Sequence, residues 1–310
     1  MVKAIKKQGI IFFFAKLILL FSVSYLLYWQ ISKISINTWK QLEIIHPSLI
    51  ASSAILVFLN WYLEWRKWKL TITIIEAKAS QKTNVLAFLA GIATGLVTPN
   101  MLGNFIGRMY YYGRNLRPSI ILLTLLSNYS QFMASIFFGF LSLLFLRESP
   151  LGIDNILLGL ILFLFTFCIV FFYFFFEKIK IPYLERKNAY SKMIKLVKKN
   201  NQFRLRLLGL SVARHFVFTF QFWLMFNAFE DALNFETFFW IWQIFLWTTL
   251  IPSLWFGKLI IRESIAIFVL AGIGYGQVSI LTTSISIWLI NLAIPALFGI
   301  IICKQNNKVD

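Results

Sequence analysis

Two arginines, each lying a few residues beyond a proline and a glycine that cut an apolar run, carry the side chains best suited to chemistry in this chain. The first run breaks at Pro99, Gly103 and Gly107 and is followed by Arg108; the second breaks at Pro252 and Gly257 and is followed by Arg262 and Glu263. A guanidinium beside the exposed amides of a broken helix end suits a phosphate. Its planar fork matches the phosphate oxygens, and a helix N-terminus adds positive potential. Asn60, Glu64 and Lys67 form a third group, spaced i, i+4 and i+7 on one face of a helix. Glu64 stands among the bases Arg66, Lys67 and Lys69, so both a structural ion pair and a functional acid are open to it. Glu64 or Glu263 would balance the arginines or meet a cationic part of a ligand. Buried in apolar sequence, each of these charges costs a few kcal/mol unless paired or hydrated, about 3 for a lone one.

Enzymatic signatures do not accompany them. The sequence has no HExxH, Walker loop, GxSxG or paired-acid DxD motif, and the one cluster among its 12 acids is Glu230, Asp231 and Glu236. Cys168 and Cys303 lie in separate apolar segments and form neither a CxxC pair nor a disulfide framework. His215 is the residue type of a packed histidine, and Arg214 beside it that of a cation snorkelling from a span. No metal site and no cofactor is expected.

The elements that hold these residues are membrane helices. Hydrophobic residues make up 59% of the 310 and charged residues 14%, and mean hydropathy is +0.75, which exceeds what a soluble core could hide. Apolar runs of spanning length recur near 9–29, 48–65, 85–106, 118–146, 151–176, 207–229, 237–256 and 264–302. The expected fold is therefore all-α, one integral membrane domain over 1–310, with about seven to nine hydrophobic segments. The formal charge of +18 then belongs to loops that meet anionic lipid headgroups, and nucleic acid is not an expected partner.

Loop charge sets an orientation. The stretch 177–206 holds ten Lys and Arg and anchors the cytoplasmic side, which puts 230–236 outside and both termini inside a cytoplasmic membrane. The loops at 66–84 and 106–118 are both basic, so 85–106 is expected to enter and leave from the cytoplasm as a re-entrant segment, turning at the Pro99 to Gly107 break. Pro99 and Pro252 are 153 residues apart, close to half the chain. That spacing suggests half-repeats at about 1–150 and 200–310, the second break being the inverted counterpart of the first. Gly272, Gly274 and Gly276 mark a further weak point.

These motifs resemble the lysylphosphatidylglycerol synthase transmembrane family, also described as flippase-like. Pro99, Gly103, Gly107 and Arg108 are similar to its early element. Pro252, Gly257, Arg262, Glu263 and Gly272 are similar to its later one, and Arg66 with Trp68 to the basic-aromatic end of its second span. Ser130 and Gln131 stand where a Glu-Arg pair is often found, and Gly257 where a double glycine is usual. The resemblance implies lipid handling without synthesis: a translocase for a phosphate-bearing amino- or glycolipid, with phospholipid or polyprenyl-linked lipid as partner and lipid-biosynthesis enzymes as neighbours. The alternative is a membrane glycosyltransferase or its accessory subunit, drawing a base from Glu43, Glu230, Asp231 or Glu236. A scaffold that tolerates loss of both arginines is a third reading.

Overall fold

In a computed structural model, the described residues are 42–75, 80–96, 103–146, 155–175, 201–251 without Ala232, and 257–305, with isolated positions at 25, 32, 39, 40 and 98. The chain divides into two compact units, Met1–Glu43 and Ile44–Asp310. Everything below concerns the second. The expected first span at 9–29, Pro99, Pro252 and most of the basic linker 177–206 lie outside the described residues.

All regular structure among the described residues is helical: α1 Pro47–Ile75, α2 Gln81–Leu96, α3 Asn104–Tyr110, α4 Arg117–Ser142, α5 Asn155–Phe175, α6 Asn201–Asn227, α7 Phe235–Leu250, α8 Gly257–Ala266, α9 Gln277–Trp288 and α10 Ile294–Gln305. One wide π turn, Ile267–Ala271, extends α8, and another, Leu289–Ala293, joins α9 to α10. Among the described residues five helices are long and apolar enough to cross a membrane: Pro47–Ile75, Arg117–Ser142, Ile156–Phe175, Asn201–Asn227 and Gln277–Ile302.

Two expected boundaries move. The second span was expected to end at 65, yet α1 continues to Ile75. Lys67 is buried against Glu64, and Thr71 and Thr73 bond back to the carbonyls of Lys67 and Lys69, so the basic run stays helical. Likewise α6 begins at Asn201 rather than 207. Arg204 is buried there, and its Nη1 donates to the Phe174 carbonyl at 2.6 Å, where α5 ends and carbonyls lack partners. The expected run 264–302 divides at Gly272 to Gly276, with Gly274 at φ 99°, a left-handed conformation in which a side chain would clash.

Between the long helices lie two pairs whose legs are too short to cross. At 1.5 Å per residue α2 and α7 reach only about 24 Å and α3 about 10 Å, against a hydrocarbon core of about 30 Å. In the first pair α3 folds back along α2. A Cβ on Gly107 would strike the Ala90 carbonyl, and one on Gly103 would lie 2.5 Å from Thr98 Cγ2. Two threonines close the turn: Thr94 Oγ1 donates to the Gly103 carbonyl at 2.7 Å, and Thr98 Oγ1 accepts from the Gly103 amide at 2.6 Å. Each pair also returns to the end at which it starts. Asn84, on the first turn of α2, meets both Trp68 at the end of α1 and Tyr112 after α3. Glu230, before α7, accepts from the Gly276 amide at 3.1 Å, and Thr237 and Tyr275 share a hydroxyl contact of 3.0 Å.

The centre of the bundle is the antiparallel contact of α1 with α6, in which Ser53 Oγ donates to the Gln221 carbonyl and Gln221 Nε2 to the Ser53 carbonyl, each at 3.0 Å. Around it each short pair leans on a long helix of the other half of the chain. Leu89 of α2 rests on Gly299 of α10, where a Cβ would lie 2.6 Å from the Leu89 carbonyl oxygen. Leu246 of α7 rests in the same way on Gly139 of α4, 2.5 Å from where its Cβ would be. Small residues let membrane helices approach this closely, since dispersion contacts replace the hydrophobic drive that lipid does not supply. α5 packs on α4 along one edge and leaves Ile156, Leu160, Phe163, Phe167 and Phe171 exposed.

Candidate functional site

The face of α1 that carries Asn60, Glu64 and Lys67 opens onto a cavity of about 660 Å³ bounded by α1 to α4 and α6 to α9. Its walls are largely aromatic and aliphatic, with Trp61, Phe88, Phe132, Phe218, Phe245 and Trp288 among them. Charge gathers at Glu64. Arg108 Nη2 donates to Glu64 Oε1 at 3.0 Å, while Arg214 Nη1 and Lys67 Nζ lie 3.5 and 3.7 Å from Oε2. One carboxylate thus faces three cations, brought by α1 itself, by α3 and by α6.

Arg108 depends on the helix pair for its place. It is 2% exposed, lies over the Trp68 ring at 4.9 Å, and passes Gly91, where a Cβ would come within 2.7 Å of its Cγ and 2.8 Å of its Nε. Glycine at 91 therefore leaves the channel through which the side chain reaches the cavity. Its Nε is buried and has no hydrogen-bond partner among the described residues, which is costly for a guanidinium donor unless something else accepts.

A polar chain encircles the cluster. Arg214 Nε donates to Asn60 Oδ1 at 2.9 Å, Asn60 Nδ2 to Asn291 Oδ1 at 2.6 Å, and Asn291 Nδ2 to Gln221 Oε1 at 2.9 Å. Gln131 Oε1 accepts from both Arg214 and Lys67 at 3.4 Å. These amides come from four different long helices, so the cluster is a junction of the whole bundle.

Arg262 also borders the cavity, but its charge is met within the protein. Its Nη2 donates to Glu263 Oε1 at 3.1 Å and to the Ser284 carbonyl at 2.8 Å, its Nε donates to Ser284 Oγ, and Glu263 is 1% exposed. Of the residues singled out in the sequence, Glu64, Arg108 and Arg262 thus meet at one cavity, and Gly103 and Gly107 shape the pair that carries Arg108. Gly257 opens α8.

Arg66 is not brought to the cavity. It lies on the exposed face of α1, bonded to the Tyr62 hydroxyl at 2.7 Å, because neighbouring helical positions point about 100° apart and Lys67 takes the inward one. Arg214 was read as a snorkelling cation and instead reaches the cavity. With α6 starting at Asn201 it sits near the middle of that helix, where the interface is out of reach. Gly91 carries no signal in the sequence beyond being a glycine in an apolar run. His215 is the packed residue it was read as, stacked on Phe138 at 4.9 Å and bonded to Ser135. Cys168 is exposed on α5, away from that buried imidazole.

Fold and site together define a polytopic α-helical membrane protein with an apolar-walled, cation-lined cavity between two pairs of short helices. The family model described as the lysylphosphatidylglycerol synthase TM region matches residues 13–299, and the chain belongs to that family. No curated protein and no solved structure matches it significantly.

Proposed function

We propose that this chain is a lipid translocase of the cytoplasmic membrane, holding a phosphate-bearing headgroup at Arg108, Arg214 and Lys67 while the apolar walls take up the start of the lipid tail. The observation that carries the reading is the shape of the cavity: about 660 Å³, aromatic on its walls, with a buried guanidinium whose Nε lacks a protein acceptor on its floor. The family is named for a synthase of lysylphosphatidylglycerol, which gives lipid as the class of substrate. Glu230, Asp231 and Glu236 are not in the cavity lining, and Glu64, which is, already faces three cations, so the cavity favours a sugar-transfer base less than an anion site.

The two short pairs are re-entrant in this reading, the first from the cytoplasm and the second from outside. The order long helix, short pair, long helix occurs in α1 to α4 and again in α6 to α10, and Arg108 and Arg262 are 154 positions apart. Antiparallel α1 and α6 are the expected partners of an inverted repeat. Since α2 leans on α10 and α7 on α4, the bodies that move are a pair from one half with the closing helix of the other. Such motion would open the cluster to each side in turn, driven by the lipid gradient or by ions, since no ATP motif is present. The test is purified protein in liposomes with fluorescent phospholipid or polyprenyl-linked lipid in one leaflet. Translocation that Arg108→Gln abolishes is expected; liposomes in which no lipid moves faster than in protein-free controls would overturn the reading.

A further inference from the structure

The charges around the cavity do not cancel. Lys67, Arg108, Arg214 and Arg262 border it, against Glu64 as the one acid in its lining and Glu263 buried behind Arg262. Two positive charges remain uncompensated within an apolar bundle, where an unbalanced ion is expensive. They are also not spread evenly. Arg262 is matched by Glu263 and Ser284, so the excess sits on the Lys67, Arg108 and Arg214 side, around a single carboxylate.

The carboxylates tell what is not bound. A lipid with an ammonium group needs an acceptor, and neither acid in this region is free to be one. Glu64 is already enclosed by three cations and Glu263 is held by Arg262 and Ser284. What is free is a donor: Arg108 Nε, buried, packed against Gly91 and without a hydrogen-bond partner among the described residues. Guanidinium and ammonium groups converging on one point fit a terminal phosphate that carries close to two negative charges near neutral pH.

Resting on the translocase reading, we infer that the lipid ends in a phosphomonoester or diphosphate with no cationic substituent, so that an anionic phosphate terminus on an apolar chain, rather than an aminoacylated or zwitterionic headgroup, is what this cavity selects. The phosphate would bind between Arg108, Arg214 and Lys67 without displacing Glu64, which keeps the three cations in place when the cavity is empty. Selectivity then comes from charge balance: the phosphate neutralises the excess, a phosphodiester leaves half of it, and a cationic headgroup adds to it.

The experiment is competition for binding of a fluorescent phosphatidic acid to the purified full chain in detergent. The competitors are farnesyl monophosphate, phosphatidylglycerol, phosphatidylcholine, an ammonium-bearing lysyl phospholipid and inorganic phosphate. The monophosphate lipid is expected to compete at least tenfold better than the phosphodiesters, and the lysyl lipid least of all. Arg214→Gln, at a half-buried position that tolerates an amide, should erase most of that preference, and Arg66→Gln should leave it intact. Equal competition by the lysyl lipid would overturn the phosphate-terminus inference while leaving the lipid cavity standing. Inorganic phosphate competing as well as farnesyl monophosphate would assign the site to free phosphate and overturn the inference from the other side. A preference unchanged in Arg214→Gln and equally in Arg108→Lys would place binding elsewhere. Failure of the translocase reading is separately visible, as liposomes in which no lipid moves.

Discussion

Gly107→Ala and Gly209→Ala are the same chemical change in two helices, and the structure gives them opposite signs. At Gly107 the added methyl enters the Ala90 carbonyl and comes within 2.5 Å of Thr94 Oγ1, and backbone cannot yield as a flexible side chain would. α3 must move off α2 by about an ångström, an overpacking strain of roughly 2 kcal/mol. The shift also breaks the 2.7 Å bond from Thr94 to the Gly103 carbonyl, worth about 1 kcal/mol more. Gly209 is exposed on α6 with open space where its Cβ would be, and there alanine gains up to about 1 kcal/mol of helix propensity. Melting followed by tryptophan fluorescence in one detergent should place Gly107→Ala roughly 6–12 °C below the native chain, while Gly209→Ala melts level or slightly above it. Gly107→Ala should in addition weaken lipid binding, because Arg108 rides on the displaced helix. Melting temperatures for the two variants within about 2 °C of each other would refute the reasoning, since that gap corresponds to less than about 1 kcal/mol.

Glu64→Gln leaves three cations facing one another without their carboxylate and should cost about 3–5 kcal/mol in chemical or thermal unfolding; a loss below about 1 would mean water already screens the cluster. Arg262→Gln and Glu263→Gln should each cost about 3 kcal/mol, while the double variant costs much less than their sum, a coupling that a double-mutant cycle measures and that strict additivity would rule out. Trp68→Phe removes the 3.1 Å bond from Nε1 to the Asn84 carbonyl at a fully buried site and should lower stability by about 1–3 kcal/mol in the same melts, leaving a carbonyl unpaired. In a Cys303→Ser background, Cys168 should react with an apolar maleimide in proteoliposomes and resist a charged one; fast labelling by the charged reagent would remove α5 from the bilayer.

The class of fold was legible in composition because a chain this apolar can only be a membrane bundle, and the long helices followed the hydropathy to within a turn wherever no buried charge intervened. Where it failed, the cause was a buried cation or, within 264–302, the glycine break at Gly272 to Gly276. Lys67 and Arg204 look like loop residues to a hydropathy reading, and only their partners, Glu64 and the Phe174 carbonyl, make them helical and buried. For the site, the spacing of Asn60, Glu64 and Lys67 was sufficient, since one helix face can be counted along one segment. Arg66 against Lys67 could not be decided that way, because two adjacent bases differ only in which way the helix is turned. Arg214 needed the true start of α6, and Gly91 needed the path of the Arg108 side chain, neither of which exists before the helices are packed.

The seat of each short helix pair sets a schedule for biosynthesis. The pair α2–α3 is complete at residue 110, but the helix it leans on, with Gly299 against Leu89, is made some 180 residues later. At ordinary ribosomal speeds that is a wait of about 10–40 s. For the first part of it the guanidinium of Arg108 lacks α6, which is complete only at residue 227, and for the whole of it α2 lacks α10. A nascent chain must therefore keep this short helix pair without its seat until α10 has been made, and a truncation before α10 would leave it as a target for quality-control proteolysis.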